Sequence, residues 1–485
     1  MMGLQQKQAE LFSYQVNLEK RVRADHPLRK IERAVDFSFV RKEVGTCYGH
    51  NGNVSVDPVV IMKMLLLLFL DDVPSERELM AVIPERLDYL WFLGYGLDEE
   101  IPNHSVLSKA RARWGQSIFE KLFVQTVLQC VEAGLVDGAK IHLDASLVRA
   151  DASKDSVLTA GPELIAALKR AYATEEGKLE PIEGPYAVVN SQVVSTTDPD
   201  AGVVRQGSMG SQLCYKHHRA VDDAHGVVTA VMTTPGPTDE GGMLGALVDQ
   251  HERNTECAVG TVVADSKYGT TENFRQCQAR QMRCHMTDLQ AKLAGSSRRK
   301  GIFREPDFHY DGLTDTYLCP AGERLKRRNY DPQQQASEYR IGRAEVCAKC
   351  KLRDQCTRAK QGRSLKRFAD QEVLDRARAQ SHSVAARLDR QRRKHLVEGS
   401  FADAANNHHF KRARWRRLWR QSIQDLLIAT VQNIRILISK GGPLPDGAVA
   451  AVEASTIPET LPFSGLWHLF KFHRAFFHSF RPATS

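Results

Sequence analysis

The sequence predicts an α/β protein: a mixed sheet with helices on both faces, preceded by an all-helical region and interrupted by a polar, cysteine-bearing insert. Three observations carry this. Apolar residues recur at helical spacing through the first 135 or so positions and switch to strand-like runs from Gly138. Beyond that point the runs follow the order β-β-β-α-β-α-β, which suits a sheet packed between helices. From about Thr287 to Gln380 the rhythm breaks down, and it then resumes as helix. The expected organisation is a helical region over 1–136, the first part of the sheet core over 137–286, the insert over 287–380, the last part of the core over 381–445 and a tail over 446–485.

In the N-terminal region "DPVVIMKMLLLLFL" opens with Asp57 as N-cap and Pro58 at the first helical position. "PSERELMAVI" carries Ser75 with Glu78 three residues on, the pattern of a capping box. "PNHSVLSKARARWGQSIFEKLFVQTVLQCVEAGL" reads as one long helix with Phe119, Leu122, Phe123, Val127 and Cys130 on a stripe and Gly134 as its stop. Lys109, Arg111 and Arg113 lie in its first turns, where the second helix of a helix-turn-helix meets DNA, although three basic residues on an amphipathic helix are also an ordinary solvated face.

Strands are expected at "GAKIHLDASLVRADAS", at "LCYKHHRAVD" and "GVVTAVMTT" as a hairpin about "DAHG", at "AVGTVVADSKYG" and at "MRCHM". A polar stretch near Ser153 to Ser211 holds one short helix, "PELIAALKRAY", and further helices are expected at "GGMLGALVDQHERN" and "TTENFRQCQARQ". A long helical region, "DRARAQSHSVAARLDRQRRKHLVEGSFADAAN", precedes a strongly apolar last helix, "SIQDLLIATVQNIRILIS", expected to pack on the sheet.

At 42% hydrophobic and 26% charged, the composition is that of a soluble globular chain. "MMGLQQKQAELF" lacks the order of a secretory signal, and "MLLLLFL" is far shorter than the roughly 20 residues a spanning helix needs. A cytoplasmic protein is expected, with no membrane partner and with ten cysteines kept reduced. The net charge of +9 is concentrated: Arg387 to Arg420 holds eleven Lys/Arg against three Asp/Glu, the footprint of a polyanion-binding face. The basic candidates there are Arg393, Lys394, Lys411, Arg412, Arg414, Arg416 and Arg417. His408 and His409 fit the same phosphate-contacting surface, and Trp415 and Trp419 either stack on an unpaired base or anchor a helix to the core.

Asp144 interrupts a strand whose Ile141, Leu143 and Leu147 suit a core, so its carboxylate must be paired, protonated or metal-bound. Asp265 stands at the C-terminal end of a later strand, and Glu398 lies in a helix among cations. Singly these are a turn acid and a salt-bridge partner for Arg393 or Lys394. As a set, two Asp and one Glu converging from two strands and a helix are hard oxygen ligands for Mg²⁺ (or Mn²⁺), and two such ions suit phosphodiester chemistry. Cys319, Cys347, Cys350 and Cys356, the last three in "CAKCKLRDQC", suit a structural Zn²⁺ site; reduced cysteines acting as small hydrophobes are the alternative.

Over most of its length the chain resembles bacterial insertion-sequence transposases of the DDE type, in the subgroup with a cysteine-bearing insert before the glutamate. The resemblance is carried by "DHPLRKIERAVDFSFV", "VDPVVIMKMLLL", "PSERELMAVI", "PNHSVLSKARARW", "HLDASLVRADAS", "STTDPDAG", "YKHHRAVD", "VVADSKYG" and "HLVEGSFADAANNHHFKRARWRR" in this order. It implies an RNase H-like core with Asp144, Asp265 and Glu398 as catalytic acids, a helical domain that helps bind terminal inverted repeats, and a homodimer on double-stranded DNA. Such proteins cleave DNA strands and join them to target DNA at the nucleoid. The relatives often carry Tyr seven residues before the glutamate, Arg four before and Lys seven after; here these positions hold Gln391, Lys394 and Ala405, with Lys411 or Arg412 in reach as substitutes. Those departures motivate two rival readings, a catalytically inactive DNA-binding regulator and an RNase H-like nuclease without strand transfer.

Overall fold

The computed structural model describes residues 16–48, 55–175, 193–205, 210–288 and 301–441. The tail expected over 446–485 and the opening residues lie outside these. The helical region holds α1 (Leu18–Arg21), α2 (Pro27–Ala34), α3 (Phe39–Val44), α4 (Pro58–Leu70), α5 (Glu76–Val82), α6 (Leu87–Leu93), α7 (Ser105–Trp114) and α8 (Ser117–Glu132). Asp57 caps α4 by accepting from the Val59 amide at 2.9 Å, and Ser75 caps α5 by accepting from Glu78 at 3.1 Å. Helix α4 is buried on nearly every side, Lys63 included; its ammonium survives there because it donates to Glu32 at 2.7 Å and to the Phe92 carbonyl at 3.1 Å.

The single helix expected from Pro102 to Gly134 is two. Gly115 adopts φ +68°, a conformation open to glycine at little cost, and the chain turns there between α7 and α8. The stripe on α8 is buried as its spacing predicts.

The core sheet has β1 (Lys140–Arg149) at its centre. After β2 (Val157–Thr159), α9 (Pro162–Glu175) and the short β3 (Val193–Ser195) and β4 (Gly202–Val204) come β5 (Gln212–Asp222), β6 (Val228–Pro235), α10 (Leu244–Thr255), β7 (Thr261–Ala264), α11 (Thr271–Ala279) and β8 (Arg283–Met286). The β-β-β-α-β-α-β order is thus present, with β2, α9, β3 and β4 inserted after the first strand. Strand β1 pairs antiparallel with β5 and parallel with β7; β5 also pairs with β6 and β4, and β7 pairs parallel with β8. One face of the sheet meets α10, α11 and Leu374 and Ala377 through an apolar core around Ile141, Leu143 and Val262. The other face joins the helical region in one larger core.

The stretch read as rhythmless forms a second sheet. Strands β9 (His309–Asp311), β10 (Thr316–Leu318), β11 (Arg324–Asp331), β12 (Ala336–Ile341) and β13 (Ser364–Phe368) make a five-stranded antiparallel meander, and α12 (Ala344–Ala348) follows β12. It encloses Phe308, Tyr317, Leu325, Tyr339 and Leu365. The polar insert therefore has a small apolar core of its own. Beyond it the expected long helical region is divided: α13 (Gln371–Ser381), α14 (Val384–Arg393), a π-helical turn at Lys394–Glu398 and α15 (Gly399–Asn407).

Helix α16 (Leu418–Lys440) packs on the sheet and on α8. Its buried polar side chains act as clamps: Asn433 accepts from the Val228 amide and donates to its carbonyl, both at 2.8 Å, and Gln424 accepts from the Arg414 amide at 2.8 Å while donating to the Arg412 carbonyl at 3.0 Å. No helix among the described residues is long and apolar enough to cross a membrane.

Candidate active site

Side chains alternate along a strand, so Asp144 shares a face with His142 and Ser146, opposite to Leu143. Its partner across the antiparallel ladder is Arg219 of β5. On the parallel side the last paired positions are His142 and Val263; two residues further along each strand stand Asp144 and Asp265, which brings the two aspartates side by side at the strand ends where α/β sheets hold ligands. Asp265 sits on a tight turn, accepting from the Lys267 amide at 2.8 Å. A Cβ on nearby Gly269 would lie 2.0 Å from the Thr287 carbonyl oxygen, so this loop seats against the end of β8 only with glycine there.

Glu398 is carried by the other element. Three side chains hold α14 onto the sheet: Asp389 accepts from Lys140 at 2.9 Å and pairs with His285 at 2.6 Å, Arg392 donates to Asp223 at 2.7 Å, and Arg393 donates through Nη1 to Asp144 Oδ2 at 2.6 Å. The π turn then widens the helix by one residue. Arg393, five positions before Glu398, thereby lies on the glutamate's side, with Nη2 3.8 Å from Glu398 Oε1. The position four before, Lys394, is exposed. Arg393, not Lys394, is thus the cation that lies between Asp144 and Glu398.

The surroundings are cationic. Arg219 is wholly buried, lying over the Phe401 ring with 4.1 Å to its centroid and donating to Ser400 at 2.6 Å and to His217 at 3.0 Å. Burial pulls its guanidinium down to about 9, while Asp425 and Asp144 oppose the shift. Burial pushes the Asp144 carboxyl above its usual range, against the Arg393 charge, and Asp265 adds to the rise. Lys411 donates to Ser146 at 2.7 Å, two residues from Asp144 on the same face, and Lys267, which donates to Glu240 at 2.7 Å, also lies near both aspartates. Tyr268, fully buried three residues after Asp265, has a hydroxyl with no hydrogen-bond partner among the described residues; burial and the Asp144 charge hold its phenol well above the ordinary value.

The sequence singled out none of Arg219, Ser146 or Tyr268. The signal for Arg219 was a run of four cationic or titratable residues, "KHHR", in an otherwise apolar strand. His217 and His218 in that run face opposite sides, pairing with Asp425 at 3.1 Å and Thr234 at 2.9 Å respectively.

Several basic candidates are not free surface. Arg111 is 3% exposed, ion-paired with Glu76 and stacked 3.8 Å from the Trp415 ring centre, which fixes α7 to the segment before α16. Arg414 donates to the Val73 carbonyl at 2.5 Å, and Arg417 is buried against Asp200 at 2.9 Å. His408 is wholly buried on the Phe69 carbonyl at 2.6 Å, against its expected place on a phosphate-contacting surface. Trp415 packs edge-on to Phe69 and Trp419 is buried, the anchoring alternative. Lys109, Arg113, Lys394, Lys411, Arg412 and Arg416 remain exposed.

Among the described residues no three His, Cys, Asp or Glu side chains are gathered so as to hold a metal. The donors at the sheet nevertheless fit a divalent cation in kind, being oxygen only, and Arg393 lies between two of them. In the insert, Cys319, Cys347, Cys350 and Cys356 line one cavity of about 30 Å³. The Glu323 amide points at the Cys319 sulfur at 3.3 Å and the Leu352 amide at the Cys350 sulfur at 3.4 Å.

Comparison with known proteins gives two family matches. Residues 16–113 match the family described as Transposase domain (DUF772), and residues 318–438 match the family described as Transposase DDE domain. Among curated proteins none matches the chain. Among solved structures, a cryo-EM structure of the piggyBac transposase synaptic complex with hairpin DNA aligns over 85% of this chain and 74% of that one, at 11% identity and a TM-score of 0.35, a likeness too distant to argue from.

Proposed function

Since the chain carries both a transposase domain and a transposase DDE domain, and so is a DDE transposase of the insertion-sequence kind, we propose that it binds the terminal inverted repeats of its element and catalyses metal-dependent strand cleavage and strand transfer. The observation that supports this reading is the register that sets Asp144 and Asp265 each two residues beyond the His142–Val263 pair, with Arg393 between Asp144 and Glu398. The strand order, with β1 central, antiparallel to β5 and parallel to β7, supports an RNase H-like core.

Asp144, Asp265 and Glu398 would hold the divalent ions, Mg²⁺ or Mn²⁺. When bound, such ions supply an activated water or 3′-hydroxyl and stabilise the leaving oxygen of a phosphodiester. The chain's own residues do the rest. Strand β1 fixes Asp144, Lys411 and Arg219 place positive charge beside it, and exposed Lys109, Arg113, Lys394, Arg412 and Arg416 offer contacts to DNA phosphates. The four insert cysteines would bind a structural Zn²⁺, for which thiols sharing one cavity and amides directed at sulfur are suitable. A homodimer on double-stranded DNA, working on the nucleoid in the cytoplasm, completes the reading, since two ends must be cut together.

The test is Mg²⁺-dependent nicking of DNA bearing the element's terminal repeats, followed by joining of pre-cleaved ends to a target. Asp144→Ala, Asp265→Ala and Glu398→Ala should each drop to background with folding intact. Wild-type nicking no greater than that of Asp144→Ala would leave a DNA-binding regulator instead, and nicking without joined product would leave a nuclease.

A further inference from the structure

Both carboxylate oxygens of Asp144 are already engaged: Oδ1 accepts from the Ala145 amide at 2.8 Å and Oδ2 from Arg393 at 2.6 Å. The same guanidinium reaches toward Glu398, whose carboxylate is 57% exposed and has no closer cation among the described residues. This geometry is built in. The Asp389 and Arg392 contacts fix the last turns of α14 to the sheet, and the π turn supplies the residue that brings Arg393 and Glu398 to one side. Arg219, Arg393 and Lys411 set positive charge beside Asp144, Asp265 and Glu398, with Asp425 near Arg219 and the Lys267–Glu240 pair close by. A divalent cation brought to these acids would meet a guanidinium competing for the same oxygens, and like charges at such range repel.

We propose that Arg393 is a positioning residue that occupies the meeting point of Asp144 and Glu398 in the DNA-free protein, and that a DNA backbone phosphate takes over its guanidinium, so that cation loading is coupled to DNA capture. The inference rests on the three-acid reading above. A phosphate is a fitting receiver because a planar guanidinium binds two of its oxygens at once, and its negative charge compensates the charge of the arriving cation. Asp144 is then released to the cation by exchange of partners and is never left buried without one.

The experiment measures Mn²⁺ binding to the full chain through loss of the free-Mn²⁺ electron paramagnetic resonance signal, with and without a short random-sequence duplex and with duplex alone as blank. Wild-type protein should bind Mn²⁺ about tenfold more tightly with duplex present, within the usual range of site-to-site coupling. Arg393→Gln should bind Mn²⁺ about tenfold more tightly than wild type without duplex and gain little from adding it. Equal affinities of wild type and Arg393→Gln without duplex overturn the proposal. Should Arg393→Gln fail to fold, the wild type still decides: linkage requires Mn²⁺ to tighten duplex binding by the same factor, and no tightening overturns it. Asp144→Asn separates the two levels. Mn²⁺ binding undiminished in that variant refutes the three-acid site and the proposal together, whereas binding lost in Asp144→Asn but unchanged in Arg393→Gln removes the proposal alone.

Discussion

The two sheets of this molecule solve the same packing problem at different scales. The six-stranded sheet is covered on both faces and can bury Arg219, His217, His218 and Asp425 completely, because helices and neighbouring strands bring a partner to each. The five-stranded sheet of the insert gathers a small core of Phe308, Tyr317, Leu325, Tyr339 and Leu365, with Ala336 and Ile341 also buried, and its charged side chains lie mostly at the surface. A large core tolerates charges that chemistry needs. A small one spends its interior on aromatic rings and is a natural place for a metal to add what burial does not supply.

That contrast can be broken most strongly at Arg111. Replacing it by Ala leaves Glu76 partly buried without its cation and removes the stack on Trp415, so the main unfolding transition should fall by about 3–5 kcal/mol. Unchanged melting would mean that the helical region is held to the core by other contacts. Next, Leu325→Ala should cost about 2–5 kcal/mol within the insert alone. Limited proteolysis should then cut between β9 and β13 while the melting of the six-stranded sheet stays in place; a matching fall in both would make the two sheets one cooperative unit. Zinc chelation should act on the same part only, and purified protein should contain close to one zinc per chain.

Asp198 gives a smaller effect with a definite sign. Burial lifts its carboxyl to about 6, although the Tyr215 hydroxyl donates to it, whereas an unfolded Asp titrates near about 3.9. The folded chain therefore holds a proton that the unfolded chain has released between those values. This contribution is complete below about pH 4 and is lost as pH rises through about 6. Asp198→Asn should flatten that part of the profile, worth about 2–3 kcal/mol, in melts taken across the interval. Smallest is Arg412→Ala: the side chain is 62% exposed, so stability should hardly move while the salt dependence of DNA binding becomes shallower by about one unit of slope.

How much of this was legible in the sequence follows the same division. The strands of the core announce themselves because burial on both faces demands continuous apolar runs, as in "GTVVA". The insert did not, because β11, "RLKRRNYD", is exposed at six of its eight positions and offers no period to read. Asp144, Asp265 and Glu398 stood out as acids in apolar or basic settings. Arg219 stayed hidden because its partners, Ser400 and Gln432, are 181 and 213 residues away, and nothing local marks the pairing. The π turn was equally invisible: regular helical spacing points to Lys394 as the glutamate's neighbour, whereas the turn brings Arg393 there.

Asn433 has a consequence beyond holding α16 in place. Among the described strands β6 pairs only with β5, so its outer backbone groups are those an outside strand would seize. By answering both the amide and the carbonyl of Val228, one amide side chain imitates a neighbouring strand and closes that stretch of rim to a stranger. A second copy of the chain is thereby denied an open edge to pair with at that point.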